Sequence, residues 1–304
     1  MFIGAIPVSA SEMNDYKQAK FNQNKIEEIT GLNDLVSGTY KSSKYEAIAD
    51  GTNTIVKIPK KSSDKIIVEH SYEDSKTFSI DMPNNITNKG KTSISKNGTV
   101  VYQDEDSSVD LAAQAINDGN MEGVRSLITI KDKTAPRKYD YNINLSEGSR
   151  LVTAADYLGK EFDTKEVYIV DKDNMIIGII DQPWAKDANG KNIDTHYEVS
   201  GNTLTQVVDF SEDSVFPIIA DPSAWQITKC AGAISWAVGS TVFAGTKLLK
   251  VKKYIKALGG IRTTAKLLIG ATTTAEKFKA GGSALVNLAS IIFGIDSIKN
   301  NCSF

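Results

Sequence analysis

Cys230-Ala231-Gly232-Ala233-Ile234-Ser235-Trp236-Ala237-Val238-Gly239 opens the stretch that decides how this chain reads, and Cys302 closes it. Lys229 and Lys247 enclose seventeen uncharged residues, Trp236, Val242 and Phe243 among them. Ala231, Ser235 and Gly239 recur every four positions, a small-residue stripe that lets a second element approach closely. The helical period runs on through Lys247-Leu248-Leu249-Lys250-Val251-Lys252-Lys253-Tyr254-Ile255-Lys256-Ala257-Leu258. There Leu248, Val251, Ile255 and Leu258 form an apolar stripe opposite a lysine face. The spacing predicts one continuous helix ending at Gly259-Gly260. A short helix over 261–271 follows. Thr273 stands three residues before Glu276, a capping box, and opens a helix bent at Gly281-Gly282. Its second half, Ser283 to Ile295, is uncharged. The pattern predicts an all-helical hairpin or bundle.

Charge divides at the same place. From Ser223 to Phe304 there are eleven Lys/Arg against Glu276 and Asp296, a balance of +9. The other residues carry 24 basic and 35 acidic side chains, a balance of −11. Either the halves meet, or the basic half seeks an anionic surface. Hydrophobic content of 41% and charged content of 24% are those of a folded protein. A length of 304 residues points to two domains.

The N-terminus, Met1-Phe2-Ile3-Gly4-Ala5-Ile6-Pro7, is apolar, and Val8-Ser9-Ala10 has the small-residue pattern of a signal-peptide cleavage site. Residues 1–10 read as the remnant of a secretory signal; a short buried strand is the alternative. Two cysteines 72 positions apart are an even number in a chain so placed, and a Cys230–Cys302 disulfide is expected, with two buried free thiols as the alternative.

Residues 11–49 read as a polar leader, weakly helical around Lys25-Ile26-Glu27-Glu28-Ile29. Short strands follow at Thr54–Ile58, Lys65–Glu69 and Lys76–Met82, and Asn97-Gly98 marks a hairpin. Lys138–Gly148 echoes the strand at Phe78–Met82, and Glu166–Gly178 echoes Ser93–Val101, a degenerate repeat of a small β unit. Between the copies, Val109–Ile116 and Val152–Leu158 read as short helices. Thr195–Val199 and Thr203–Phe210, joined across Gly201-Asn202, form a further hairpin. Pro222 keeps Asp221 out of the helical region, and the division falls there. The expected fold is α+β: a β-rich module of antiparallel hairpins over 50–222, then a helical cationic domain over 223–304.

Pro183-Trp184-Ala185-Lys186-Asp187-Ala188-Asn189-Gly190-Lys191, His196-Tyr197-Glu198-Val199, Phe216-Pro217-Ile218-Ile219-Ala220-Asp221-Pro222 and the Cys230–Cys302 block resemble uncharacterised secreted proteins of Gram-positive bacteria. Some proteins of similar layout are described as bacteriocin-like. The resemblance runs from roughly Val124 onward and brings no catalytic residue with it.

The side-chain inventory narrows the chemistry. His70 and His196 are the only histidines, too few for a histidine-rich metal site. His196 with Asp194 or Asp209 and a serine is imaginable as a triad, but no Gly-x-Ser-x-Gly elbow accompanies it, and a polar strand residue is the simpler reading. No Walker loop or dinucleotide fingerprint occurs. Asp187–Asp194 alternates oxygen ligands as calcium loops do, yet its glycine is misplaced for an EF-hand and no bidentate Glu follows, so it reads as a surface turn.

These observations predict a secreted, non-enzymatic protein without cofactor or metal. Its helical domain is expected to engage anionic membranes: Trp236 and Phe243 insert, while Lys247, Lys250, Lys252, Lys253 and Lys256 hold headgroups. The competing expectation is a non-toxic binding or structural module acting on a cell-envelope polymer or a protein. Nucleic acid is not expected as a partner.

Overall fold

A computed structural model describes residues 20, 23–29, 41–84, 91–95, 97–119, 121–240, 242–243, 245–292 and 294–302. The proposed signal remnant lies outside these residues. The fold is α+β: two antiparallel sheets followed by a helical region.

The first sheet has the order β1-β2-β3-β4-β9-β15-β14. Its strands are β1 (Tyr45–Asp50), β2 (Thr54–Pro59), β3 (Ile66–His70), β4 (Phe78–Asp81), β9 (Lys138–Asn144), β14 (Thr195–Ser200) and β15 (Thr203–Val208). The second runs β10-β11-β12-β17-β8-β7-β6-β5, with β16 also paired to β8 and β13 paired to β16. It is built from β5 (Lys91–Ile94), β6 (Val100–Gln103), β7 (Val109–Asn117), β8 (Glu122–Ile130), β10 (Arg150–Thr153), β11 (Val167–Val170), β12 (Ile176–Ile180), β13 (Trp184–Lys186), β16 (Ile218–Asp221) and β17 (Ser223–Gln226). Val56, Ile80, Tyr141 and Leu204 of the first sheet share one core with Tyr102, Leu111, Ile128 and Ile169 of the second.

The two sheets differ in what covers them. β9 alternates exposed and buried residues, as a sheet with one wet face must. β8, β11 and β12 are buried throughout, because the second sheet is covered on both faces. The helical region lies on part of its outer face, where Tyr168, Val170, Ile179 and Trp225 pack with Ile234, Ile255, Leu268 and Leu288. Residues 23–29 form helix α1, which covers another part. Ile26 is fully buried against Val101, Ala112, Leu127 and Ile219. This part of the leader is therefore docked.

Both echoed pairs of segments lie within single sheets. β4 and β9 are neighbours, with Ile80 opposite Ile143, and the β5–β6 and β11–β12 hairpins belong to the second sheet. Val109–Ile116 is not a helix. It is β7, paired with β8 over nine residue pairs. With both faces buried its apolar run loses the alternation that marks a strand. Helix α2 occupies Ala154–Leu158, and the residues before it, from Arg150, form β10.

Past Pro222 the chain stays in the sheet for one more strand, β17, and turns helical at Lys229. The helices are α3 (Lys229–Gly239), α4 (Thr246–Ala257), α5 (Ile261–Gly270), α6 (Thr274–Ile292) and α7 (Asp296–Asn301). The predicted continuous first helix is two, α3 and α4. Ser240 is extended at the end of α3, and Gly245 adopts φ +55° before α4, a conformation costly for a residue with a Cβ. The capping box forms: the Glu276 amide donates to Thr273 Oγ1 at 3.2 Å, and the Thr273 amide donates to Glu276 Oε2 at 2.9 Å. α6 breaks its helical geometry at Gly282, where the bend was expected.

Candidate functional site

The Cys230–Cys302 disulfide joins the first turn of α3 to the residue after α7, with the Cα atoms 4.8 Å apart. It closes the helical region at its open end. Ala231 and Ser235 of the small-residue stripe are fully buried, and Gly239 meets Tyr157 of α2 so closely that a Cβ there would sit 2.8 Å from the phenol oxygen.

The five lysines of α4 divide into two groups. Lys252 is half-buried and held below its ordinary pKa, first by desolvation. Lys256 Nζ donates to the Glu161 carbonyl at 2.7 Å, tying α4 to the β module. Lys247, Lys250 and Lys253 are exposed, and none forms an ion pair among the described residues. Leu249 is 50% exposed and stands one turn before Lys253. α6 packs against α4 and exposes Phe278 at 64%.

The two aromatic residues expected to insert into a membrane are not part of this face. Phe243 is only 6% exposed and packs within the helical core, because the break after α3 turns it inward. In this packing it is a core residue, and insertion would require the bundle to open. Trp236 is 37% exposed on α3, but it lines a cleft between the β module and the helices.

The docking of the helices on the sheet rests on residues that the sequence did not single out. Arg262, in the first turn of α5, donates to Asp118 at 2.6 Å and to Asp181 at 3.0 Å, and Lys266 pairs with Asp118 at 3.2 Å. Asp181 also accepts the Trp225 indole N–H at 2.8 Å. Beside this cluster, Glu166 reaches the N-terminus of α5 and accepts the amides of Ile261 at 3.1 Å and Arg262 at 3.4 Å, where the helix dipole favours an anion. It also accepts the Tyr168 and Thr164 hydroxyls at 2.7 and 2.8 Å. Burial nevertheless pushes the carboxyl up to about 7. Gly260 has φ +109°, and a Cβ on it would lie 2.3 Å from that carboxyl, so no other residue fits. The acidic and basic halves do meet, and Lys247, Lys250 and Lys253 of α4 stay outside the contact.

The Ala220-Asp221-Pro222 junction has a packing role. Asp221 accepts the Ser223 hydroxyl at 2.5 Å and pairs with Arg125 at 3.3 Å. Arg125 Nη1 donates to Gln114 at 3.4 Å, Gln114 Nε2 to Thr99 Oγ1 at 3.0 Å, and the Thr99 hydroxyl to Glu27 of α1 at 2.9 Å. A buried polar chain thus runs under the outer face of the sheet from the junction to the leader helix.

The imagined triad does not assemble. His196 is exposed on β14 beside Asp209 and Glu198, and no serine hydroxyl bonds to it among the described residues. The Asp187 carboxylate is occupied by the amides of Asn189 and Lys191, both at 2.9 Å, which makes its loop a tight turn.

Compared with protein-family models, curated proteins and solved structures, the chain matches none.

Proposed function

We propose that this is a secreted bacterial protein, bacteriocin-like in layout, whose helical domain binds anionic membrane surfaces through α4. The observation that carries the reading is the exposed set Lys247, Lys250 and Lys253 on α4, cationic and without ion-pair partners among the described residues, with the exposed Leu249 one turn before Lys253. The disulfide is compatible with an extracellular location. Among the described residues no helix is long and apolar enough to cross a membrane, which favours a helix lying in the interface over one that spans. Each lysine near an anionic surface contributes about 1 kcal/mol. Three of them, with a single leucine, give weak and salt-sensitive attachment rather than permanent anchoring. The helices share their core with the sheet, so the β module is the platform that presents α4.

Co-sedimentation of the full-length oxidised chain with vesicles tests this reading. Binding to anionic vesicles that fades at high salt supports it. Binding that ignores salt, or that is equal on zwitterionic vesicles, removes its electrostatic basis.

A further inference from the structure

A cleft of about 1260 Å³ opens where the sandwich meets the helices, with walls drawn from both sheets and from α3. Its chemistry differs from that of α4. Two aromatic side chains line it with surface to spare: Tyr72, 78% exposed just after β3, and Trp236, 37% exposed on α3. Its charges nearly cancel, with Glu73, Glu122 and Asp171 against Lys76 and Lys229. Several of these are already occupied. Glu73 pairs with Lys76 at 2.8 Å, and Glu122 holds the amides of Thr52 at 2.6 Å and Asn53 at 2.9 Å. A strongly charged ligand has little here to recognise.

Three residues that line the cleft, on β2, β17 and α7, carry buried polar groups without partners. Thr54 Oγ1, Gln226 Oε1 and Ser297 Oγ are buried and make no hydrogen bond, and all three residues line the cleft. Thr54 and Gln226 are 2% and 3% exposed. The orientation of Gln226 is fixed by its amide nitrogen, which donates to the carbonyls of Lys76 at 2.9 Å and Val68 at 3.4 Å, so its oxygen is an acceptor awaiting a donor. Buried polar groups are paired in the great majority of cases, and a cluster of orphans along one cavity calls for an explanation.

We propose that this cleft is a carbohydrate-binding site. A sugar has hydroxyl groups that both donate and accept, which suits two orphaned hydroxyls and one orphaned amide oxygen. It also has C–H faces that pack on the electron-rich faces of Tyr72 and Trp236. It carries no charge that the neutralised lining would have to match. The volume exceeds the usual range for a single small ligand, roughly 300–1,000 Å³, so several sugar rings fit. The site is separate from the lysines of α4 and does not depend on the membrane reading.

Titration calorimetry of the full-length oxidised protein with chitotetraose and with cellotetraose tests the proposal. Saturable binding of at least one sugar is expected, weakened about tenfold or more by Tyr72→Ala and by Trp236→Ala, the loss typical of a truncated aromatic anchor. Tyr72 is exposed enough that its removal leaves the fold intact, so this variant decides the matter if Trp236→Ala proves unstable. Lys250→Glu/Lys253→Glu, which targets the membrane reading, should leave sugar binding unchanged. Failure of both sugars to bind overturns the proposal, as does full-strength binding by Tyr72→Ala.

Discussion

The guanidinium of Arg262 lies 3.7 Å from the centroid of the Trp225 ring, stacked on the last strand before the chain turns helical. The same group bridges Asp118 and Asp181, so one side chain on α5 joins the helices to three positions on the sheet. Arginine suits this place because its planar fork reaches two carboxylates while its face covers an indole.

Removing that side chain takes from Asp118, whose side chain is 4% exposed, a cation that it shares with Lys266, and breaks the ion pair of Asp181. Loss of one partner from a buried ion pair typically costs about 3–5 kcal/mol. Arg262→Ala should destabilise by that order in urea unfolding, and Arg262→Lys should recover only part of it. Full rescue by lysine would show that the stacking and the double bridge contribute little.

Glu166 gives the molecule a pH dependence of definite sign. Burial is the main force that raises its pKa from an ordinary 4.5 to about 7, with Asp181 adding to it while Tyr168, Thr164 and the Ile261 amide pull it down. Asp221 is likewise raised to about 7, by burial first and against the pull of Arg125. A carboxyl whose pKa is higher folded than unfolded stabilises the fold fully below its unfolded value, and that contribution is lost as pH rises through the folded value. For Glu166 this amounts to ~3 kcal/mol. Between about pH 4.5 and 7 the melting temperature should fall, and Glu166→Gln should flatten the fall. His70, lowered by burial and by Lys76, acts in the opposite direction, so the comparison with the variant is what isolates Glu166. Parallel curves for the two proteins would contradict the assignment.

The disulfide closes a loop of 72 positions. Chain entropy gives it about 4 kcal/mol of stabilisation. Reduction, or Cys230→Ser/Cys302→Ser, should lower the stability of the helical region by that order. Hydrogen exchange would show the effect first in α3 and α7, the helices it joins. Unchanged protection there would mean that packing alone holds the bundle.

The sequence revealed the α+β division because its cues are local: an Asn-Gly turn between β5 and β6, a capping box at Thr273, and paired glycines after α4. It concealed β7, since burial on both faces erases the alternation that separates strand from helix. It also concealed the break after α3, because the uncharged run continues past it. The docking cluster was out of reach: Arg262 joins Asp181 and Asp118 across 81 and 144 positions. One trace of it was visible, since Arg262 is the only arginine in a basic region otherwise made of lysine. The lysine face of α4 was legible as a helical period, but only the packing separates Lys247, Lys250 and Lys253 from Lys252 and Lys256. Phe243 and Trp236 carried no sequence mark distinguishing a core ring from a cleft ring.

The membrane reading is tested most directly by the partition of full-length oxidised wild type and Lys250→Glu/Lys253→Glu onto anionic vesicles at low salt. Both lysines are exposed and free of ion pairs among the described residues, so the substitutions leave the fold intact. Wild type should bind and the variant should not, because reversing two charges turns about 2 kcal/mol of attraction into repulsion. Equal binding by the two proteins would mean that α4 is not the contact surface.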